Sequence, residues 1–423
     1  MIKSIYCFLF YLIMPAVYLR VFWRSIKEPQ YRTDLGHRMG RVNGVTPGAV
    51  WIHAVSAGET IAAVGLVECL LEAGHEVLLS NMTPAGRERA RAIFGDRITS
   101  VYAPYDLPHA IGRFLRRVKP AALIIIDTEL WPNMITLARK SLVPVYLVNG
   151  RMSERSADGY TRVEGLSRPM FQSLTQVFAQ TASQAHRFRL LGAPLVTDAG
   201  SVKFDAKHPP DFESRTTKLR PAFPFDQILL GASTHAGEES LLLEAFMSLN
   251  DKKVLLILAP RHTHRASEIV ALLKINSVPY QKKSDGEAID PRTRVYLLDT
   301  MGELIYYYGI CDVAFVGGSL VDVGGHNPME PAGLGKPIIM GKYRRNVVDI
   351  ADQFVDEGAL LTVNSADSLK KIWQDLLAQP DLAARMSQAA LNVMARNQGS
   401  LGRVSSVILP SLAASSDRLQ GPR

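Results

Sequence analysis

The chain is short of cysteine. Cys7, Cys69 and Cys311 are the only three in 423 residues. Their wide spacing excludes a disulfide framework and a cysteine-built zinc cluster, and fits a reducing compartment. The sequence also lacks a G-x-G-x-x-G dinucleotide fingerprint, a G-x-x-x-x-G-K-[S/T] phosphate loop and any low-complexity tract. Charged residues make up only 21% against 47% hydrophobic, a balance that excludes a disordered chain and points to globular domains with large cores. The length suffices for two or more domains. Acidic residues are outnumbered, 40 against 48 basic. The net charge of +8 and pI near 9.3 suit anionic partners: nucleic acid, lipid headgroups or phosphorylated substrates.

One long apolar run is present. Ile5–Leu19 is apolar almost throughout, and Val21-Phe22-Trp23 extends it past Arg20. The length is borderline for a membrane span, which needs roughly 20 apolar residues, and Pro15 is expected to kink it. No small-residue cleavage site follows, so no removed signal peptide is expected. Arg20, Arg24, Lys27, Arg32, Arg38 and Arg41 crowd the far side and only Lys3 precedes. This asymmetry leaves the body of the protein in the cytoplasm. The run reads as a spanning helix, an interfacial helix anchored by Tyr18 and Trp23, or a buried first helix of the domain.

Beyond it the chain alternates strands with helices, which predicts parallel sheets covered on both faces. Strands are expected at Val50–Val55, Val77–Ser80, Val101–Ala103, Leu123–Asp127, Val143–Val148 and Val177–Ala179, with helices at Pro84–Phe94, Pro108–Val118 and Pro132–Lys140. Lys207–Pro224 carries four prolines and no clear period, so it reads as a linker. The pattern then restarts with strands at Gln227–Gly231, Val254–Leu258, Val295–Leu298, Val313–Val316 and Pro337–Met340, and with closing helices at Ser365–Leu377, Leu382–Arg396 and Leu401–Leu412. The expected division is an anchor at 1–24, a first Rossmann-like domain at 25–206, a linker at 207–225 and a second Rossmann-like domain at 226–423.

The stretch Trp51-Ile-His-Ala-Val-Ser-Ala-Gly-Glu-Thr60 organises the first half. It reads as strand, tight turn, helix, and puts Glu59 at a helix N-terminus beside the carboxyl end of a strand, where open α/β sheets bind ligands. The helix end favours the ionised carboxylate that a general base needs. A helix-dipole partner is the plain alternative. Ala236-Gly237-Glu238 repeats the pattern in the second half. Asp127-Thr-Glu129 ends another first-half strand, and this pair of carboxylates suits either a divalent cation or, for Glu129, helix capping. Lys203 begins the linker region.

In the second half, Phe315-Val-Gly-Gly-Ser-Leu320 and Gly324-Gly-His-Asn-Pro-Met-Glu-Pro331 concentrate glycine after a strand. Such a loop can turn its N–H groups to a phosphate, and Glu330 can accept from ribose hydroxyls. Arg261 follows Pro260 at a strand end, placed to grip a phosphate, or to remain a surface residue. His262, His264 and His326 lack the neighbouring carboxylate or cysteine that would complete a metal site, so hydrogen-bonding or structural roles are expected.

These stretches, with Tyr31-Arg32, Gly36-His37-Arg38, Met82-Thr-Pro-Ala-Gly86, Pro104-Tyr-Asp-Leu-Pro108, Thr128-Glu-Leu-Trp-Pro-Asn133, Gly200-Ser-Val-Lys-Phe-Asp205, Thr234-His-Ala-Gly-Glu238 and Asp299-Thr-Met-Gly-Glu303, resemble in order the Kdo transferases of lipopolysaccharide synthesis, which are GT-B glycosyltransferases. The resemblance implies two Rossmann-like domains facing across a cleft, with an N-terminal membrane-anchoring helix. It implies inverting transfer of Kdo (3-deoxy-D-manno-octulosonic acid) from CMP-Kdo to a tetraacylated lipid A precursor. That transfer would occur at the cytoplasmic face of the inner membrane of a Gram-negative cell, with no metal, no cofactor and no nucleic-acid partner. It places the base at Glu59 and transition-state stabilisers at Asp127 and Lys203. It places CMP contacts at Pro260, Arg261, Met301, Gly302, Glu303, Asn327, Pro328, Met329 and Glu330. The family carries Glu where this chain has Asp127, so Glu129 is a candidate to share that role. An epimerase of the same fold and a non-catalytic lipid- or nucleotide-binding protein are the alternatives.

Overall fold

The computed structural model describes residues 2–205 and 209–419. The chain divides into two compact units, Met1–Lys207 with Asn397–Arg423, and His208–Arg396. Each holds a seven-stranded, all-parallel sheet.

In the first unit the strands are β1 (Val50–His53), β2 (Val77–Asn81), β3 (Thr99–Tyr102), β4 (Leu123–Ile126), β5 (Val145–Gly150), β6 (Gln176–Ala179) and β7 (Val196–Asp198). Their order is β3-β2-β1-β4-β5-β6-β7. The central strands are apolar and buried throughout, as in Leu123-Ile-Ile-Ile126, because helices cover both faces. Trp51 pairs with Leu123 and His53 with Ile125. The order reverses between β1 and β4, and that switch is where an open parallel sheet forms its ligand crevice.

Helix starts follow local chemistry. The hydroxyls of Ser56, Thr83, Ser153, Thr181 and Ser365 each accept from a first-turn N–H, which satisfies an orphan donor. Pro84, Pro108 and Pro132 occupy first-turn positions, where a missing N–H costs nothing. A side chain at Gly86 would meet Asn81 and the Ser56 backbone at 2.9 and 3.1 Å. Glycine therefore lets the Pro84–Phe94 helix approach the turn that carries Glu59.

The second unit contains β8 (Gln227–Thr234), β9 (Val254–Pro260), β10 (Tyr280–Lys282), β11 (Val295–Leu297), β12 (Val313–Val316), β13 (Ile338–Gly341) and β14 (Leu360–Val363). Their order is β10-β11-β9-β8-β12-β13-β14, with the switch between β8 and β12. Strands β7, β10 and β14 escape the sequence reading. Each lies at or near a sheet edge, is three or four residues long, and carries half-exposed positions instead of a buried run.

Two expected boundaries move. The helix Ser400–Leu419 belongs to the first unit, not to the second domain assigned to 226–423. Its Val404, Ile408 and Leu412 join the core of Val50, Ile52 and Leu66. The Asp205 carboxylate accepts from the N–H groups of Gly399 at 2.6 Å and Leu401 at 2.7 Å, which fixes where the helix starts. Residues 207–208 of the expected linker lie outside the described residues. The rest is folded: Phe212–Leu219 is a helix of the second unit, with Arg215 stacked 3.8 Å above the Tyr306 ring.

The N-terminal apolar run forms one helix, Ile2–Lys27, long and apolar enough to cross a membrane. One face is docked on the first unit. Lys3 Nζ donates to Thr136 Oγ1 at 2.6 Å, Tyr6 OH donates to Asp106 Oδ2 at 2.9 Å, and Tyr11 OH meets His109 Nδ1 at 2.5 Å. Met14 is buried against Tyr105, Leu107 and Ala110. The opposite face exposes Ile5, Phe8, Leu12, Leu19, Phe22 and Trp23. Met14→Ala is therefore expected to lower unfolding free energy by about 2–4 kcal/mol, the cost of a cavity at a buried Met. Leu12→Ala, two residues away on the open face, is expected to change it little. Denaturant melts of the detergent-solubilised full chain check the pair; equal effects would mean the helix is not docked this way.

Candidate active site

Glu59 is the third residue of the helix Ala57–Glu72, one turn beyond β1. Its carboxylate folds back onto the turn. Val55 N–H donates to Oε2 at 2.6 Å and Ser56 Oγ to Oε1 at 2.8 Å, while Ser56 Oγ accepts from the Glu59 N–H at 3.4 Å. The sequence reading expected the helix end to favour the ionised form. Burial outweighs it and pushes the Glu59 carboxyl up to about 7, against the Ser56 and Val55 hydrogen bonds and with help from the charges of Glu129 and Asp127. A carboxyl that titrates near neutrality can both take and release a proton.

Asp127 immediately follows β4, across the switch from Glu59. It is left-handed, φ 57°, a conformation Asp and Asn tolerate better than most residues. Asn149 Nδ2 donates to its Oδ1, and Lys203 Nζ is 3.4 Å from its Oδ2. The pair is partly exposed, with Lys203 32% and Asp127 26% accessible, so it is open to an incoming group. Glu129 is oriented by Trp131, whose indole N–H donates to Oε2 at 3.1 Å. Trp131 in turn lies edge-on to His53, ring centroids 4.7 Å apart. Burial holds His53 down to about 3, so it is a neutral core residue that braces Trp131. The first unit thus gathers Glu59, Asp127, Glu129 and Lys203 beyond the carboxyl ends of its central strands.

In the second unit the expected nucleotide residues lie at or beyond carboxyl ends of strands. Pro260 closes β9, and exposed Arg261 follows. Met301 and Gly302 follow β11; Met301 is exposed and Gly302 is left-handed. Glu303 already accepts from Arg215 at 2.8 Å and from Thr300 Oγ1 at 2.6 Å, so the expected linker helps to set its position. Asn327 Oδ1 accepts from Met329 N–H at 3.1 Å. Pro328 and Met329 are buried and Glu330 is exposed. The helix expected there is a single short turn, Met329–Gly333. Among the described residues, no group of three or more His, Cys, Asp or Glu side chains is arranged to hold a metal ion.

Glu238 was assigned no role from sequence. It is fully buried, and its carboxylate accepts from the N–H groups of Gly318 at 2.7 Å, Ser319 at 2.9 Å, Leu320 at 2.9 Å and His235 at 2.9 Å. In the first of the two glycine stretches expected to cradle a phosphate, the N–H groups of Gly318, Ser319 and Leu320 are taken by this side chain; in the second, Gly324, Gly325 and His326 donate to the Gly318 and Gly317 carbonyls. The repeated Ala-Gly-Glu was the available signal, and it marks a structural carboxylate here. Glu238→Gln replaces one acceptor oxygen with a donor facing N–H groups. It is expected to cost about 2–4 kcal/mol, the range for breaking a buried charge-assisted contact. Thermal denaturation measures it; an unchanged Tm would contradict this role.

Comparison with known proteins places this geometry. Residues 33–206 match the family model described as 3-Deoxy-D-manno-octulosonic-acid transferase (kdotransferase), and residues 240–393 match that of glycosyl transferases group 1. The chain is 35% identical over 421 residues to the 3-deoxy-D-manno-octulosonic acid transferase of Haemophilus influenzae, covering 97% of this chain and 99% of that protein. It is 34% identical over 406 residues to the enzyme of the same name from Bordetella pertussis, covering 92% and 94%. The crystal structure of UDP-GlcNAc 2-epimerase from Neisseria meningitidis aligns with a TM-score of 0.58 over 86% of this chain and 100% of that one, at 15% identity. That similarity shows the shared two-Rossmann, GT-B-like fold alone. The match along nearly the whole length is with the transferases, and the chain belongs to the 3-deoxy-D-manno-octulosonic acid (Kdo) transferase family of glycosyltransferases.

Proposed function

We propose that the enzyme moves Kdo from CMP-Kdo to a tetraacylated lipid A precursor, with inversion at the anomeric carbon, in lipopolysaccharide inner-core synthesis. The observation that carries this reading is Glu59: a half-buried carboxyl pushed up to about 7 at the sheet switch of the first unit. An acceptor hydroxyl gives its proton to Glu59 as its oxygen attacks the anomeric carbon. The bond from that carbon to the CMP phosphate breaks, and its electron pair leaves with CMP. Charge grows on the phosphate, and a fixed cation there lowers the barrier. In the second unit Arg261 is the cation assigned to the phosphate; in the first unit Lys203 is assigned to stabilising the transition state, with Asp127 and Glu129 orienting it. CMP-Kdo carries one phosphate instead of a pyrophosphate, so these cations suffice and no metal is required.

The acceptor resides in a membrane. The exposed apolar face of the N-terminal helix, with Arg20 and Arg24 beside it, suits the interface of an anionic inner membrane at its cytoplasmic face. The docked face favours a helix lying along the surface, because a spanning one would carry Asp106 and His109 toward the hydrocarbon.

Incubating purified enzyme with CMP-Kdo and the lipid A precursor should give a lipid product heavier by Kdo in mass spectrometry; no Kdo adduct would overturn the reading. Glu59→Gln is expected to cut kcat by 10²–10⁴-fold, the usual weight of a general base, while CMP affinity by calorimetry stays unchanged. In the parent enzyme, kcat/KM is expected to fall tenfold per pH unit below about 7, because only ionised Glu59 accepts the proton. A profile flat down to pH 5 would remove Glu59 as the base.

A further inference from the structure

Four histidines that the proposed mechanism leaves idle gather in the second unit. His235 follows β8, His262 and His264 follow β9, and His326 lies in the loop after β12. His235 and His262 rings meet edge to face with centroids 5.8 Å apart, and His262 and His264 lie 5.5 Å apart. His235 Nε2 is 2.9 Å from His326 Nε2. The two rings are only 13° from parallel with centroids 5.1 Å apart, so they meet edge to edge through one N–H···N bond, not face on face. Gly318 makes the room: a side chain there would meet His326 at 3.1 Å and His235 at 3.6 Å.

The shared hydrogen bond fixes complementary tautomers. One ring donates from Nε2, so the other accepts there and carries its proton on Nδ1. That Nδ1–H has no partner among the described residues, and neither do the ring nitrogens of His262. Burial, with Arg261 nearby, lowers His326 to about 4, and burial also lowers His262. Both shifts favour the neutral form of His326 and His262. The Arg261 guanidinium beside them has no carboxylate partner among the described residues. The two acids on the neighbouring helix are committed elsewhere: Glu238 to the glycine loop and Glu239 to Arg265 at 2.7 Å. Among the described residues the cluster is therefore a set of N–H donors and one cation without an opposing acid, at the β8/β12 switch where a ligand crevice forms. The N–H groups of Gly318, Ser319 and Leu320 next to it are taken by Glu238.

We infer that His235, His262 and His326, with Arg261, form the oxyanion-binding site of the second unit and take an anionic group of the sugar nucleotide, its phosphate or the sugar's carboxylate. The inference rests on the donor proposed above. A neutral imidazole N–H to a charged oxygen is a charge-assisted hydrogen bond, and the His235–His326 bond holds the pair in one orientation before the ligand arrives.

The test is calorimetric binding of CMP and of CMP-Kdo to the full-length detergent-solubilised enzyme, the parent and His262→Ala, His262→Gln and His326→Asn variants. His262 is exposed, so its variants should fold, as circular dichroism would verify. His262→Ala is expected to weaken binding about tenfold to hundredfold, and His262→Gln, which keeps an N–H donor, to recover part of it. His326→Asn is expected to weaken it as well. Equal losses on CMP and CMP-Kdo put the phosphate at the cluster; losses on CMP-Kdo alone put the sugar carboxylate there. Unchanged affinity for both ligands in His262→Ala and His326→Asn would overturn the inference. Failure of the parent enzyme to bind either ligand would instead overturn the donor assignment itself.

Discussion

A glutamate folded back onto the turn after the first strand governs both halves of this molecule. The local sequence is the same, Ala-Gly-Glu at 57–59 and at 236–238, and both strands adjoin the switch of their sheet. The outcome depends on how many donors surround the carboxylate. Glu238 accepts four backbone N–H groups, enough to replace water around a buried anion, and it becomes a structural pin for the glycine loop. Glu59 has one N–H and one hydroxyl, with two further carboxylates nearby. Under-solvated and crowded by like charge, it rises to about 7. The same motif yields a rivet in one half and a carboxyl raised toward neutrality in the other.

This contrast redistributes the expected anion chemistry. With the glycine N–H groups taken by Glu238 and by backbone carbonyls, the donors left in the second unit for an anionic ligand are side chains. The second unit supplies these at the ends of β8, β9 and β12 as Arg261 and its surrounding imidazoles. In the first unit Lys203 is paired with Asp127, which is held in turn by Asn149. Around this chemistry the fold is stiff: the strands that deliver Glu59, Asp127 and Arg261 are buried through their centres. The N-terminal helix is tied to the first unit through Asp106, which also accepts the backbone N–H groups of Asn133 and Met134. The surface that exposes Phe8, Leu12 and Phe22 is thus a fixed part of the unit that carries Glu59.

Much of this was legible in the sequence. The buried central strands are long apolar runs, and the helices Pro84–Phe94, Pro108–Val118 and Pro132–Lys140 start and stop where their prolines and periodicity say. Glu59 and Asp127 come near one another because β1 and β4 are neighbours and both strands can be read, whereas Lys203 follows β7, which could not. Four things were not legible. Periodicity shows that Ser400–Leu419 has an apolar face but not which sheet it covers. Prolines at 209, 210, 221 and 224 resemble a linker, although Phe212 and Tyr306 fold the segment onto the second unit. Glycine pairs look open to a ligand until Glu238 is seen inside them. The histidines are scattered at 235, 262, 264 and 326, and only the sheet order brings them together.

The central claim is that Glu59 is held near neutrality by burial with too few donors. Carbon-13 NMR titration of glutamate-labelled enzyme, with Glu59→Gln to assign the signal, reads this directly. The account predicts a Glu59 carboxyl midpoint at about 7. A midpoint near the ordinary glutamate value of about 4.3 would contradict it.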